Sequence, residues 1–268
     1  MRRSKGLALV GWGALAFLYL PVLVLAVFSL NKGEYTAAWE GFSTTWYEQL
    51  LEGTDRMARG LAEPLKLSLR LGTAAAGVAV VLSAATALGL RGARRWISFP
   101  LVALWALPIV LPDIVLGVSW AGAFHWLGWK PGFATLLLAH GTIATAFALV
   151  VVSARLATLD PSLVEAARDL GATRARATWH VVIPHLTPAL VAAALLAFTL
   201  SFDDFMVTFF LAPATAPTLP VSVYSSVTRG AKPILNALAT LSLVGTFLVA
   251  FLAMALARPL GGSAAEER

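Results

Sequence analysis

The sequence predicts an all-α membrane protein with six transmembrane helices in a single domain, residues 1–268. Hydrophobic residues make up 59% of the chain and charged residues 13%, with a mean hydropathy of +0.79, more apolar than a soluble domain. A crossing helix needs about 20 apolar residues. Stretches of that kind lie near 7–30, 66–90, 98–120, 133–154, 186–211 and 235–257. Residues 74–90 are apolar on every face, which excludes the alternating pattern of β-barrel strands.

The first stretch follows Arg2, Arg3 and Lys5, as the core of a signal peptide would. Its apolar run to Leu30 is too long for a signal peptide, and no small-residue cleavage site follows it. We therefore expect it to remain as the first span.

Basic residues predict the orientation of the spans. With both termini and the loops 91–97 and 155–185 in the cytoplasm, the inner face carries twelve of the twenty Lys and Arg residues, as the positive-inside rule expects. Lys66 and Arg70 at the outer end of the second span indicate snorkelling or a later helix start. The net charge of +6 therefore reflects topology and contact with anionic lipid, not nucleic-acid binding.

Two outer loops and one interrupted span complete the pattern. Residues 31–64 contain the aromatic cluster Trp39, Phe42, Trp46 and Tyr47, which predicts a short amphipathic surface helix, either an interfacial anchor or a contact for a delivery protein. Prolines in 212–233 predict a non-helical connection. Pro108 and Pro112 predict a kinked third span, buried in the bundle and lining a pathway.

The cytoplasmic loop 155–185 contains a helix whose two ends are marked in the sequence. Asp160 can cap a helix that starts at Pro161, and Gly171 can supply a left-handed terminating residue. Leu163, Ala166, Ala167 and Leu170 then share one face. Such a face suits the cleft of a soluble partner, although an ordinary interfacial helix would have the same composition.

A resemblance decides between these interpretations. Glu165-Ala166-Ala167, then Gly171, then Val181-Val182-Ile183-Pro184 is similar to the cytoplasmic loop motif of importer-type ABC transporter permeases. Val181 and Ile183 stand where that family usually has Ile and Leu, which keeps the apolar character. The resemblance implies a type I importer permease fold with a coupling helix that docks on the ATP-hydrolysing subunit, the contact residues being Glu165, Ala166, Ala167, Leu170, Gly171 and Pro184.

The chain itself has no G-x-x-x-x-G-K-[ST] phosphate loop, because none of its lysines follows a glycine. We therefore expect no cofactor in this chain and no enzymatic activity of its own. By the resemblance, a separate ATPase subunit binds ATP and Mg and drives alternating access through the loop.

Three carboxylates at membrane depth point to the transported solute. Asp113 follows Pro112 in the third span, and Asp203 and Asp204 lie in the fifth; charges there are costly and usually face a cavity or a partner. They are either satisfied by hydroxyls and backbone or form a path for a cation. In the second case, Phe202, Phe205 and Tyr224 are candidates for cation–π contact with an organic ammonium.

The same segments resemble the second permease subunit of spermidine/putrescine uptake systems. The similar stretches are Gly41–Ser43, Trp46–Tyr47, Leu111–Gly117, Leu200–Phe205, Leu219–Ser225 and Asn236–Leu241. The resemblance implies a bacterial inner membrane assembly of two different permease subunits, a pair of ATPase subunits and an extracytoplasmic substrate-binding protein for polyamines. Asp203 and Asp204 are then candidates for an outer gate or cation contact, with Asp113 as a third.

Other functions fit the residues less well. A permease for iron, thiamine or another small solute would share part of the pattern, whereas an anion importer should display basic groups along its path. A secondary transporter would normally show more spans and internal repeats.

Adjacent Asp203 and Asp204 on one helix make a poor catalytic dyad, and the four histidines lack metal-ligand spacing; no catalytic or metal residues are predicted. His180 and His185 beside Pro184 either tune the loop or simply lie at its edge.

Overall fold

The computed structural model describes residues 5–34, 38–228 and 233–261, and within these ranges the secondary structure is helical, with no β-strand. The elements in order are α1 Lys5–Phe28, α2 Thr45–Glu52, α3 Arg56–Leu90, α4 Arg95–Val110, α5 Asp113–Trp126, α6 Phe133–Ala157, α7 Pro161–Asp169, α8 Arg174–Ala177, a π-helical turn Thr178–Val182, α9 Ile183–Phe202, α10 Met206–Leu211, α11 Leu219–Thr228 and α12 Pro233–Gly261. The described parts of residues 1–63 and 222–249 form one compact unit, and those of 64–221 and 250–268 form another.

Four helical runs in the described chain are long and apolar enough to cross a membrane. They are Leu9–Phe28, Arg56–Leu90, Phe133–Ala157 and Arg174–Phe202, and the bent pair α4 and α5 makes a fifth if it is counted as one span. The described apolar part of α12, Pro233–Leu248, is shorter. The described helices thus account for four or five of the six predicted spans.

The predicted third span, 98–120, is broken where a kink was expected. Helices α4 and α5 meet at an angle of 110°. Leu111 and Pro112 between them are both extended, with ψ of 140°. Leu111 is restricted to this region because a residue that precedes proline avoids the helical region. The expectation that this whole span is buried is wrong for α4, none of whose residues is buried in the chain.

Two further predictions on helix boundaries are corrected. The predicted span 186–211 is interrupted at Asp203–Phe205, so that α9 ends at Phe202 and α10 begins at Met206. The segment 212–233, predicted to be non-helical, contains α11. Pro220 is compatible with that helix because the first helical turn needs no backbone N–H donor.

In the unit that contains the N-terminal residues, the expected short surface helix is present as α2. Trp46 on α2 donates a 2.7 Å hydrogen bond from Nε1 to the carbonyl oxygen of Asn31, and the Tyr47 hydroxyl lies 2.5 Å from Ser29 Oγ. These bonds anchor α2 to the end of α1. Helix α3 begins at Arg56, so a later start of the second span at Lys66 and Arg70 is wrong.

In the other unit, α3, α6 and α9 pack through small side chains. The main core cluster consists of Ala76, Ala79, Ala87, Ala144, Ala148, Leu149, Val152, Leu159, Val182, Leu186, Ala193 and Ala197. Alanine at so many contact positions lets helix backbones approach closely, as is common where helices associate in membranes. A second cluster around Val207 and Leu211 joins α5 and α6 to α10.

Glycines mark two of these close approaches. A Cβ atom on Gly72 would lie 3.0 Å from the Phe198 ring, and one on Gly117 would lie 2.9 Å from the Phe210 ring and 3.2 Å from Val207 Cα. Gly77 and Gly122 have no neighbour within 4 Å of such an atom. Close helix packing therefore involves Gly72 and Gly117, and within this chain it does not involve Gly77 or Gly122.

Candidate functional site

The helix α7 in the loop 155–185 has the ends that the sequence predicts. The Asp160 carboxylate accepts a 2.9 Å hydrogen bond from the Ser162 N–H, and this bond holds the pKa of the Asp160 carboxyl below its ordinary value of 3.8. At the other end Gly171 has φ of +88°. The Gly171 N–H binds the Arg168 oxygen and the Ala172 N–H binds the Ala167 oxygen, which is the Schellman pattern.

The predicted contact face of α7 points away from the rest of the unit. Leu170 is 90% exposed and Leu163 is 52% exposed; Glu165 and Ala166 are also exposed, and Ala167 is half-buried. The opposite side of α7 is anchored by Val164, which packs against the main core cluster. An open groove beside the helix is lined by Glu165, Arg168, Asp169, Gly171, Ala172 and Thr173. A second groove is lined by Ala167, Leu170, Gly171, Ala172, Arg176, Ala177, His180 and Val181.

Hydrogen bonds join the two ends of this loop. Arg155 at the end of α6 donates from Nε to the carbonyl oxygen of His185 on α9, at 3.1 Å. His185 Nε2 lies 3.3 Å from Thr158 Oγ1 and 3.4 Å from the Arg155 carbonyl oxygen. The role of His185, left open by the sequence, includes closing the base of the loop.

The proline of the loop motif lies next to an irregular helical turn. Pro184 has no N–H and its ring crowds the carbonyl four residues earlier, that of His180. Directly before it, the Ile183 N–H bonds the Thr178 oxygen five residues back, so that Thr178–Val182 form a π-helical turn. His180 Nδ1 lies 2.9 Å from the Arg176 oxygen and donates to it, because a carbonyl can only accept. Such turns are frequent at functional sites.

The two adjacent aspartates occupy the break between α9 and α10 and differ in environment. Asp203 directly follows the last residue of α9, its N–H donates to the Thr199 oxygen, and the residue is exposed. Asp204 has a side chain that is only 16% exposed. Its Oδ2 accepts from the Thr208 N–H at 2.9 Å and the Thr208 hydroxyl at 2.8 Å, and its Oδ1 accepts from the Val207 N–H at 3.3 Å.

A buried histidine on α6 completes this arrangement. His140 is 3% exposed, and its Nε2 lies 3.0 Å from Thr208 Oγ1 while its Nδ1 lies 2.8 Å from Ser201 Oγ. Since the Thr208 hydroxyl hydrogen goes to Asp204, its oxygen accepts from His140 Nε2–H. In a neutral imidazole Nδ1 then accepts from Ser201. The direct distance from His140 Nε2 to Asp204 Oδ2 is 3.6 Å, so Thr208 connects them.

Three of the other predicted pathway residues lie on three different helices, and Phe205 lies in the break between α9 and α10. Asp113 is exposed at the start of α5, and Gly117 one turn later packs on Met206 and Val207 of α10. Phe202 stacks on Phe198 with ring centroids 5.6 Å apart, and Phe205 packs on Phe209 at 5.3 Å. Tyr224 belongs to the other compact unit, on α11, and is 51% exposed.

Sequence reasoning did not single out His140, Ser201 or Thr208. Their hydrogen bonds join residues 61 and 68 positions apart, which no local spacing reveals. One signal was available, since His140 is a titratable residue inside the apolar stretch 133–154, and such residues need a partner at membrane depth.

Curated relatives match most of the chain. It is 39% identical over 249 residues to the putrescine transport system permease protein PotI of Escherichia coli K12, covering 88% of this chain and 85% of the relative. It is 32% identical to the spermidine/putrescine transport system permease protein PotC of Haemophilus influenzae, covering 91% of this chain and 93% of the relative. The PotC protein of Escherichia coli K12 is 34% identical, covering 91% of this chain and 90% of the relative. The resemblance to spermidine/putrescine permeases is therefore confirmed.

Solved structures support the fold. A chain of a bacterial ABC transporter involved in the import of alginate superposes with a TM-score of 0.72 at 15% identity, covering 96% of this chain and 94% of that one. A chain of the MetNI methionine ABC transporter superposes with a TM-score of 0.63 at 19% identity, covering 82% and 99%. Residues 77–260 match the family described as binding-protein-dependent transport system inner membrane component. The chain therefore belongs to this family of ABC importer permeases.

Proposed function

We propose that this chain is one of two different permease subunits of an ATP-driven polyamine importer in the bacterial inner membrane. The observation that carries the proposal is the 39% identity, over 88% of the chain, with a permease named for putrescine. The complete importer also contains a pair of ATPase subunits and an extracytoplasmic substrate-binding protein. The permease pair forms the pathway, and this chain contributes half of it.

The proposed topology has six spans, with the chain 1–268 as one permease domain and both termini in the cytoplasm. The loop 155–185 then lies on the cytoplasmic side as the coupling loop. Three arginines in the short segment 91–97 support this orientation. The bent pair α4 and α5 and the long helix α12 provide the two spans that length alone does not define.

In the coupling loop, α7 transmits the movement of the ATPase subunit, which binds ATP and Mg and hydrolyses ATP. The proposed contact residues are Glu165, Ala166, Ala167, Leu170, Gly171 and Pro184. The 90% exposed Leu170 supports this role, since an apolar side chain outside the membrane gains most when a partner covers it. Val164 on the opposite side anchors the helix, so force on the exposed face reaches the core.

The proposed pathway residues are Asp113, Phe202, Asp203, Asp204, Phe205 and Tyr224. Carboxylates attract the ammonium groups of a polyamine and aromatic faces add cation–π attraction. Asp113 and Asp203 are exposed on the chain, as groups that meet a moving solute must be. The break between α9 and α10 supports a pathway position, because irregular backbone in a membrane protein occurs where it lines a cavity or is covered by protein.

Uptake by the complete importer in proteoliposomes tests the proposal. With ATP and the binding protein present, labelled putrescine and spermidine should accumulate, and a neutral diol of the same length should not. Omission of ATP or of the ATPase subunit should abolish uptake. The polyamine assignment is wrong if neither amine accumulates while another solute does, and the coupling assignment is wrong if uptake proceeds without the ATPase.

A further inference from the structure

Two neighbouring carboxylates with opposite surroundings occupy the break between α9 and α10. Asp203 is exposed, and the described residues give its carboxylate no hydrogen bond or salt bridge. The Asp204 side chain is mostly covered and accepts three hydrogen bonds from Val207 and Thr208. The first carboxylate is therefore the more accessible of the two to a ligand.

The bonds to Asp204 determine the local backbone. Its side chain accepts the backbone N–H groups of Val207 and Thr208, two of the N–H groups that the start of a helix leaves without an intrahelical partner. Asp204 thereby starts α10 and ends the helical path that α9 would otherwise continue. Asp203 lies directly before that interruption, at the C-terminal end of α9, and is exposed there.

His140 supports Asp204 indirectly, through the hydroxyl of Thr208. Its Nε2–H donates to the Thr208 hydroxyl, which donates to Asp204, while Ser201 on α9 donates to its Nδ1. These hydrogen bonds form a buried network that connects α6, α9 and α10. Buried polar networks of this kind hold a defined geometry because every broken bond leaves a polar group without a partner.

We propose that the two carboxylates have different roles. Asp203 binds the ammonium group of the transported solute. Asp204, held by Thr208 and His140, is a positioning residue that keeps Asp203 in its exposed position. The proposal rests on the proposed function and makes it more specific, since it selects one aspartate as the cation contact. An ammonium group approaching Asp204 would meet a side chain that is only 16% exposed and that already accepts hydrogen bonds at both oxygens. At Asp203 no described residue of this chain would have to be displaced.

Introduced thiols can test this division of roles directly. The chain has no cysteine, so Asp203→Cys and Asp204→Cys each create a single thiol in this subunit. The complete importer, with its other subunits also free of cysteine, is treated with an anionic methanethiosulfonate that carries a sulfonate, or with a cationic one that carries a trimethylammonium group. Uptake of labelled putrescine is measured per assembled transporter.

We expect Asp203→Cys to lower uptake by about tenfold, as for loss of a charge-assisted hydrogen bond. The anionic reagent should restore most of it, and the cationic reagent should not. Asp204→Cys should react slowly and should regain nothing from either reagent, because a negative charge on a longer side chain cannot accept the same backbone donors. Equal restoration in the two variants, or restoration in Asp204→Cys alone, would overturn the proposal.

The positioning role of His140 has its own readout. His140→Gln keeps a donor near the place of Nε2 and should retain uptake, whereas His140→Leu should lower it. In a combined His140→Leu and Asp203→Cys variant, the anionic reagent should no longer restore uptake per assembled transporter, because the thiol is no longer presented correctly. Restoration as large as with His140 present would contradict the positioning role.

The failures of the two proposals can be told apart. If the wild-type importer carries no polyamine, the proposed function fails and the labelling experiment is repeated with the solute that it does carry. If the wild type carries polyamines and Asp203→Cys transports normally, only the assignment of Asp203 fails. Asp203→Asn and Asp204→Asn repeat the comparison without labelling if a cysteine variant does not assemble.

Discussion

Arg155 Nε lies 3.1 Å from the carbonyl oxygen of His185, joining residues 30 positions apart at the two ends of the loop 155–185, the proposed coupling loop. The Thr158 hydroxyl and His185 Nε2 reinforce the contact at 3.3 Å. A loop whose ends are joined in this way passes a displacement of α7 on to α6 and α9. If the ends were free, bending at the base of the loop would absorb it.

Arg155→Ala should therefore weaken coupling more than folding. It removes one hydrogen bond from a charged group that is half-buried, worth roughly 1 kcal/mol, or about fivefold in the balance between closed and open forms of the loop. We expect fewer solute molecules carried per ATP hydrolysed, measured as the ratio of uptake to phosphate release. Arg91→Ala, at an exposed position between α3 and α4, is the matched control and should leave the ratio unchanged. An unaltered ratio in Arg155→Ala would contradict a role for this contact in coupling.

Gly171→Ala should strain the end of α7 without any steric clash. The residue has φ of +88° and no atom within 4 Å of a new Cβ, so the cost is that of a left-handed alanine, about 1–2 kcal/mol. We expect weaker binding of the ATPase subunit, measured by co-purification and titration. Gly89→Ala, a helical position with equally open space, should bind normally. Gly171→Asn should lose less than Gly171→Ala, since asparagine tolerates this conformation better.

The Asp160 cap should make the start of α7 sensitive to acid. The pKa of its carboxyl is lowered by the hydrogen bond from Ser162, so the ionised form is the one that stabilises the helix. Its contribution is complete above the ordinary value of 3.8 and is lost as the pH falls through the lower folded-state pKa. At neutral pH, Asp160→Ala should speed hydrogen exchange at Ser162, and Asp160→Ser should not. Equal exchange in both variants would show that the cap does not hold this turn.

The ends of α7 could be predicted because each depends on one local residue. Asp160, Pro161 and Gly171 act through their own side chain or backbone preference, and the structure places all three as expected. The break in the third span was predicted correctly from Pro112. The predicted burial of that span is wrong for α4 within this chain. An apolar helix in a membrane protein can face lipid or another subunit as easily as its own chain.

The break at Asp203–Phe205 could not be predicted because its cause is not local. Residues 186–211 read as one apolar stretch, and the interruption depends on the hydrogen bonds of Asp204 to Val207 and Thr208, supported by His140 from another helix. The helix α11 was not predicted although the residue that decides it is local. Prolines usually interrupt helices, but Pro220 lies in the first turn of α11, where proline is tolerated.

Gly117 and Gly122 on α5 provide a matched pair for packing. Gly117→Ala should destabilise the chain by about 1–3 kcal/mol, because the new Cβ would lie 2.9 Å from the Phe210 ring and 3.2 Å from the backbone of α10. Gly122→Ala meets nothing within 4 Å and should be neutral or stabilising by up to about 1 kcal/mol, since alanine favours helix. Thermal unfolding in detergent, followed by tryptophan fluorescence, measures both. Equal melting temperatures for the two variants would contradict this packing.

Thr208→Val should destabilise the chain, because it removes one hydroxyl from a buried hydrogen-bond network. Valine has the shape of threonine, so no cavity forms, but His140 Nε2–H loses its acceptor and Asp204 loses an O–H donor. A buried polar group without a partner costs about 1–3 kcal/mol, which the melting temperature of the detergent-solubilised chain should reveal. Thr208→Ser keeps the hydroxyl and should lose less than half of that. If both variants melted together, well below the wild type, loss of the methyl contacts with the core would explain the result and the network would contribute little. A melting temperature of Thr208→Val equal to that of the wild type would show that the hydroxyl is dispensable.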